Sequence, residues 1–299
     1  MSKLTKLSFF VLITLCYIRL GYAQGIENKL QLSLSTGRQQ EDLRWSIAGN
    51  TNGQSPNVLS ELKWKTVKGR NYNASAQWNA WHRFFVWADY SRLNVTSGKV
   101  NDMDYSGDNR TSPVYQQNFI DNKGYADAWH TGIGYAVINK YLLSLVPYIG
   151  YGISRQSLYI LDGSGQFPGL NSSYQTNWKG PFIKVRSTYR LSHALKVTAD
   201  VTYNQVNYNA QGNWNLINEF EHPVSYRHKA KGYGTDAGAK LIYSFNDYLG
   251  IHIGFGYFNW QTGNGNDQLY LNTGAIDKTQ LNGVVRSGYQ LNGGVVLSL

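Results

Sequence analysis

Along most of this chain every second residue is apolar. From Leu195 the odd positions read Leu195, Val197, Ala199, Val201, Tyr203, while the even positions read Lys196, Thr198, Asp200, Thr202, Asn204. Leu249, Ile251, Ile253, Phe255, Tyr257 alternate in the same way with Gly250, His252, Gly254, Gly256. The pattern recurs in Trp129, Thr131, Ile133, Tyr135, Val137 and in Leu143, Leu145, Pro147, Ile149, Tyr151, Ile153. A period of two is the signature of a strand with one apolar face; a helix needs 3.6 residues per repeat.

The connections alternate as well. Short polar turns fall near His82-Arg83, Asn139-Lys140, Leu191-Ser192-His193 and Asn246-Asp247. Between them lie long segments rich in Asn, Gly, Ser and Asp, near 38–57, 97–124, 162–177, 211–231 and 262–283. Four turns and five loops join about ten strands and return both termini to one side. This predicts an all-β chain, a ten-stranded antiparallel up-and-down transmembrane β-barrel with periplasmic turns and extracellular loops. A soluble sandwich would alternate too, but would not keep the short-then-long rhythm. Leu291, Val295, Leu297 and Leu299 share a face with Tyr289, as befits a closing strand. Val58 to Trp81 holds no obvious turn. Since about 9–11 residues cross a bilayer, such strands should project above the outer membrane.

The first residues stand apart. Lys3 and Lys6 precede a short apolar run, Phe9 to Leu15, and Gly21-Tyr22-Ala23 places small residues where a signal peptidase reads. The run is too short to span, and Arg19 interrupts it. We therefore expect a signal peptide over 1–23 and a barrel over 24–299. Cys16 follows Leu15 rather than a small residue, which argues against lipidation. It is the chain's single cysteine. Removing it excludes a disulfide scaffold and a thiol enzyme. The formal charge of +10 falls when Lys3, Lys6 and Arg19 leave, but the remainder stays basic. For an exported chain that charge suits anionic lipid headgroups rather than nucleic acid. Mean hydropathy is that of a soluble protein. Yet 23 Tyr, 9 Trp, 11 Phe and 31 Gly fit a barrel whose alternate residues alone meet lipid, with aromatic belts at the interfaces.

Several local motifs share an order along the chain. Ser60-Glu61-Leu62-Lys63-Trp64-Lys65 and Val100-Asn101-Asp102-Met103-Asp104-Tyr105 are followed by Gly150-Tyr151-Gly152-Ile153-Ser154-Arg155, then Glu221-His222 and Tyr226-Arg227-His228-Lys229. In strand order, turn spacing and these motifs the sequence resembles the omptins, ten-stranded outer-membrane endopeptidases. The resemblance implies a cleft at the barrel top, where an Asp-His pair activates a water against a peptide carbonyl and two further aspartates face it. Asp102 and Asp104 match the aspartate pair, and His222 matches the histidine. Its partner aspartate is Phe220 here, which cannot orient an imidazole. Glu219 or Glu221 could substitute only if a bend brought one round, because successive side chains on an extended segment alternate. Glu41, four residues after Gly37, matches one acid of the family's substrate pocket for basic residues, and the second aligns with Asn218. The resemblance also implies lipopolysaccharide on the outer wall, with Tyr151, Arg155 and Lys231 matching its contacts. Ile153 and Asn177 replace two others.

Taken without the family, Asp102, Asp104 and Glu41 are ordinary acids of polar segments, and His222 before Pro223 is an ordinary loop residue. Three functions stay open: a surface endopeptidase acting near basic residues; a non-catalytic barrel of the same lineage in adhesion or envelope structure; and a small pore lined by Lys184, Arg186, Lys196, Asp200 and Lys240. No spacing suggests a metal or other cofactor, apart from the lipopolysaccharide requirement. The expected partners are outer-membrane lipid and a peptide or protein substrate, and the expected state is a monomer.

Overall fold

The computed structural model describes residues 30–299; the signal peptide expected over 1–23 lies outside them. Thirteen strand segments form one sheet. They are β1 (Leu30–Ile47), β2 (Ser60–Trp81), β3 (Phe84–Gly107), β4 (Thr111–Ile120), β5 (Tyr125–Tyr135), β6 (Ile138–Asn139), β7 (Leu143–Leu161), β8 (Asn171–Arg190), β9 (Leu195–Asn213), β10 (Tyr226–Ser244), β11 (Leu249–Thr262), β12 (Gly265–Tyr270) and β13 (Ile276–Ser298). β4, β5 and β6 follow one another along a single stave, and β12 continues β11. Ten staves result, each antiparallel to the next. The ring closes where β1 pairs β13, from Gln31 opposite Ser298 to Ile47 opposite Leu281. The two ends of the described segment meet at the turn end, with the Leu30 N–H donating to the Leu299 carbonyl at 2.9 Å.

The alternation is realised as predicted. Outward residues such as Ile133, Ile149, Ile183, Val201 and Ile253 are exposed side chains of the lipid-facing wall. Trp81 stacks on Phe84 near the turns, and Tyr90 packs on Trp129 higher up, in keeping with aromatic girdles at the two interfaces.

The long segments differ from expectation. β1 runs on to Ile47 inside 38–57, and β3 and β4 form one hairpin through most of 97–124. Above the bilayer neither face of a strand meets hydrocarbon, so Asn, Gly and Ser cost nothing there, while the backbone still gains by pairing. Polar composition therefore marked where strands leave the lipid rather than where they end. β3 has 24 residues, about twice what a bilayer requires.

Two apolar layers fill the bore. Near the turns Trp87, Val146, Tyr148 and Phe182 pack together. In the upper half a larger cluster joins Trp45, Leu62, Trp64, Tyr174, Trp178, Tyr208 and Tyr226. Level with the lower layer and below the upper one lies a charged lumen with a cavity of about 220 Å³, Lys184 and Arg186 being opposite Tyr148 and Val146 in register. Lys184, Arg186, Asp200 and Lys240 line it, whereas Lys196 does not. Asp200 pairs with both Lys184 and Arg186, and Arg186 also donates to Gln77.

Val201 faces outward about midway up the lipid-facing part of β9. Val201→Arg is expected to destabilise the barrel by about 2–4 kcal/mol, read from equilibrium unfolding in lipid vesicles. The same substitution at Gln211, above the bilayer, should be close to neutral.

Candidate functional site

The upper bore holds two groups of titratable side chains on opposing walls. The first is on β3. A register irregularity between β2 and β3, where Lys68 pairs Ser97 but Gly69 pairs Val95, leaves Thr96 as an extra residue of β3 and shifts the inward face to the even residues of upper β3. Asp102 and Asp104 therefore share the side of buried Val100. Asp102 is opposite Leu62 and Gln117, and Asp104 opposite Ser60 and Tyr115. Burial lifts the Asp102 carboxyl to about 7, helped by the charge of Asp104. Burial also raises Asp104, and the Ser60 hydroxyl pulls it part of the way back. Tyr115 is pushed up to about 12, mainly by burial and further by both aspartates.

The second group centres on His228 of β10, whose side chain is 1% exposed. Its Nδ1 lies 2.7 Å from the Tyr174 hydroxyl, which lies 2.6 Å from that of Tyr208. Its Nε2 is 3.1 Å from Asp267 Oδ1, off the alignment of a hydrogen bond. His228 and Asp267 are directly opposed in the β10–β12 register. Thr279 donates to the other Asp267 oxygen at 2.9 Å, and Trp45 meets the imidazole edge-on at 4.9 Å. Tyr226 precedes His228 on the same inward face. Its ring lies over Gly212, where a Cβ would stand 2.1 Å from it. Burial holds the Tyr226 phenol well above its usual range, with Asp267 and Asp102 adding to the effect. Tyr226 thus feels carboxylates of both groups.

The remaining expected residues sit elsewhere. His222 is in the exposed connection between β9 and β10. Its ring nitrogens contact Asn213 Oδ1 at 2.8 Å and the Ile217 carbonyl at 3.2 Å. No carboxylate is among its partners in the described residues. Glu219 and Glu221 are exposed and meet the β12–β13 connection through their backbones. Glu41 is buried, and Arg286 binds it at 2.8 Å, Gln156 at 2.6 Å and Gln39 at 2.9 Å. Its charge is therefore matched by a resident guanidinium. Asn218 is in the same connection as His222 and accepts from Asn272 through its carbonyl.

Tyr151, Arg155 and Lys231 all point outward. Arg155 forks onto Asp127 at 2.9 and 3.2 Å, and Arg92 approaches the same carboxylate at 3.6 Å. Across the wall, Ile153, Lys179, Asn207 and Lys231 follow one another in register. Lys179 thus joins the two cations that the sequence singled out. His228 and Asp267 were missed as well. The available signal was parity: Tyr226, His228 and Ala230 alternate as one face of a strand, which His222 does not.

The family described as Pom, Protochlamydia outer membrane protein, matches residues 33–296. Among solved structures the chain is similar to the outer membrane protease OmpT from Escherichia coli. The TM-score is 0.72 at 15% identity, covering 92% of this chain and 99% of that one. The translocator domain of autotransporter NalP from Neisseria meningitidis also matches, with a TM-score of 0.38 at 10% identity over 99% of this chain and 95% of that one. No curated protein matches the sequence. The OmpT likeness gives the omptin-like barrel fold, and the family match gives the Gram-negative outer membrane as its location.

Asp102 keeps its proton to a higher pH in the folded barrel than in the unfolded chain, so its ionisation works against folding between about pH 4 and 7. Asp102→Asn should therefore raise stability by up to about 4 kcal/mol at pH 8 and leave it nearly unchanged near pH 4. Unfolding free energies measured across that range check the sign.

Proposed function

The chain belongs to the Protochlamydia outer membrane protein family, and from that premise we propose that it serves as a non-peptidase barrel of omptin architecture, an envelope and surface protein. One observation carries the reading: aromatic side chains fill the space where an omptin needs an open cleft. Trp64 stacks on Tyr174 at 5.4 Å, and Trp45 packs against Tyr174, Tyr226 and His228. A peptide carbonyl and its attacking water must reach a general base directly or through one water. His228 is enclosed on all sides, and His222 has no carboxylate to fix its tautomer. Arg286 occupies the carboxylate of Glu41, where a basic substrate side chain would bind. Outside the barrel, Tyr151, Arg155, Lys179 and Lys231 suit lipopolysaccharide phosphates through charge-assisted hydrogen bonds at headgroup level.

The finer endopeptidase reading is the outcome that would displace this one. It would run through Asp102 and Asp104 facing His228 and Asp267, or through His222 with Glu219 or Glu221. Purified protein reconstituted with lipopolysaccharide should leave a quenched peptide with paired basic residues intact. Turnover that disappears in Asp104→Ala would refute the non-peptidase proposal. Loss in His228→Ala but not His222→Ala would then identify the histidine.

The charged lumen favours a second reading, a small pore. Lys184, Arg186, Lys240 and Arg286 face the cavity. Conduction would require the aromatic layer above it to part. Planar-bilayer conductance whose ion preference reverses in Lys240→Glu would support this pore, and an absence of channels would remove it.

A further inference from the structure

The outer face of β1, β2 and β3 carries more cations than the fold offsets. Above Thr36 and Tyr72 the exposed outward positions include Arg38 and Arg44 on β1, Lys65, Lys68 and Arg70 on β2, and Lys99 on β3. The register sets Arg38 opposite Arg70 and Lys65 opposite Lys99. Like charges directly across strands destabilise a sheet. None of these six forms an ion pair among the described residues. Two acids are nearby: Asp42, exposed on the same outward face, accepts from the Thr66 N–H at 2.6 Å and keeps its charge, and Glu61 binds Lys63 and Arg110. One exposed carboxylate among six cations leaves a net repulsion that an anionic partner relieves.

Height selects the partner. On the neighbouring stave the lipid-facing residues run up to Tyr289, which the register sets opposite Gln40. Arg44 is four residues beyond Gln40; at about 3.3 Å per residue and a tilt near 40°, it stands roughly 10 Å higher. The headgroup layer is about 5–8 Å deep on each side. Lipid phosphates therefore meet Arg38 and Arg70, whereas Arg44, with Lys65 and Lys99 on the neighbouring staves, stands at the outer edge of that layer. The outward neighbours of that upper trio include Asn101, Ile120, Val285 and Ser287. No aromatic platform stands among them on which nucleic-acid bases could stack. Successive outward cations such as Lys68 and Arg70 repeat at about 7 Å along a strand, a spacing suited to a chain with one anion on each sugar or two.

We propose that this wall docks an extended acidic polysaccharide, bearing sulfate or carboxylate groups, that approaches from outside the cell rather than from the barrel's own lipid. The proposal concerns the outer surface and does not depend on how the bore is read. The test uses full-length processed protein in detergent, free of lipopolysaccharide, over an immobilised heparin dodecasaccharide. Wild type binds, more weakly as salt rises. Arg44→Gln with Lys65→Gln and Lys99→Gln should weaken binding about tenfold or more. Heat-modifiable gel migration reports whether that triple variant folds, and Lys65→Glu alone serves if it does not. Unchanged affinity in the folded variants overturns the proposal. So does loss caused instead by Arg155→Gln with Lys231→Gln, or equally tight binding of a single-stranded oligonucleotide of matched charge.

Discussion

Hydrocarbon offers no partner to a backbone N–H or C=O, so a sheet within it must have no edge. In this chain the condition is met by one seam, the pairing of β1 with β13 along nearly the whole of β1. The seam fixes much else. Ten staves close into a bore too narrow to stay empty, so inward residues must fill it. Outward residues must be apolar for as long as the strand is in lipid. The hydrogen-bonding habit then carries the strands on past the lipid, because a paired backbone above the membrane is better than a frayed one. The extracellular half of the molecule is thus an extension of the same sheet rather than a set of loops placed on top of it.

The filling of the bore is divided by polarity. Charges in the middle are matched, as Asp200 is by Lys184 and Arg186 and Glu41 is by Arg286. Removing one partner of such a buried pair leaves the other uncompensated at about 3–5 kcal/mol, so these residues are constrained together. Aromatic rings close the bore above them. The proposed non-peptidase role rests on this same packing of Trp45, Tyr174 and Tyr226.

Much of this was legible in the sequence, for a physical reason. Lipid contact imposes a period of two, and the short-then-long rhythm of the connections separates it from a soluble sandwich, so the strands, the turns and the barrel followed from runs such as Leu195 to Tyr203 and from the spacing between them. Composition misled only where its cause changed. Asn and Gly in 97–124 signal departure from lipid, and the strands continue through them. The site was harder to see. Asp102 and Asp104 could be matched along the chain, but their inward direction depends on the irregularity at Thr96, which no residue pattern announced. Glu41 could be matched too, whereas its engagement with Arg286 joins residues far apart in sequence through the closing seam. His222 was chosen by its place beside Glu221. His228 became visible only once β10 was known to begin at Tyr226, bringing the imidazole inward and opposite Asp267.

The two histidines separate scaffold from chemistry. A barrel wall can hold an aspartate pair on one side and a histidine–carboxylate pair on the other as a matter of register alone, because each pair belongs to its own hairpin. Catalysis asks for more: the four groups must share one water. Tyr226 stands buried among Trp45, Tyr174 and Trp214 beside His228. An omptin-like fold and an aromatic-filled bore are thus compatible in one chain. Likeness of fold at 15% identity therefore carries no activity with it, and function must be argued from what stands between the walls.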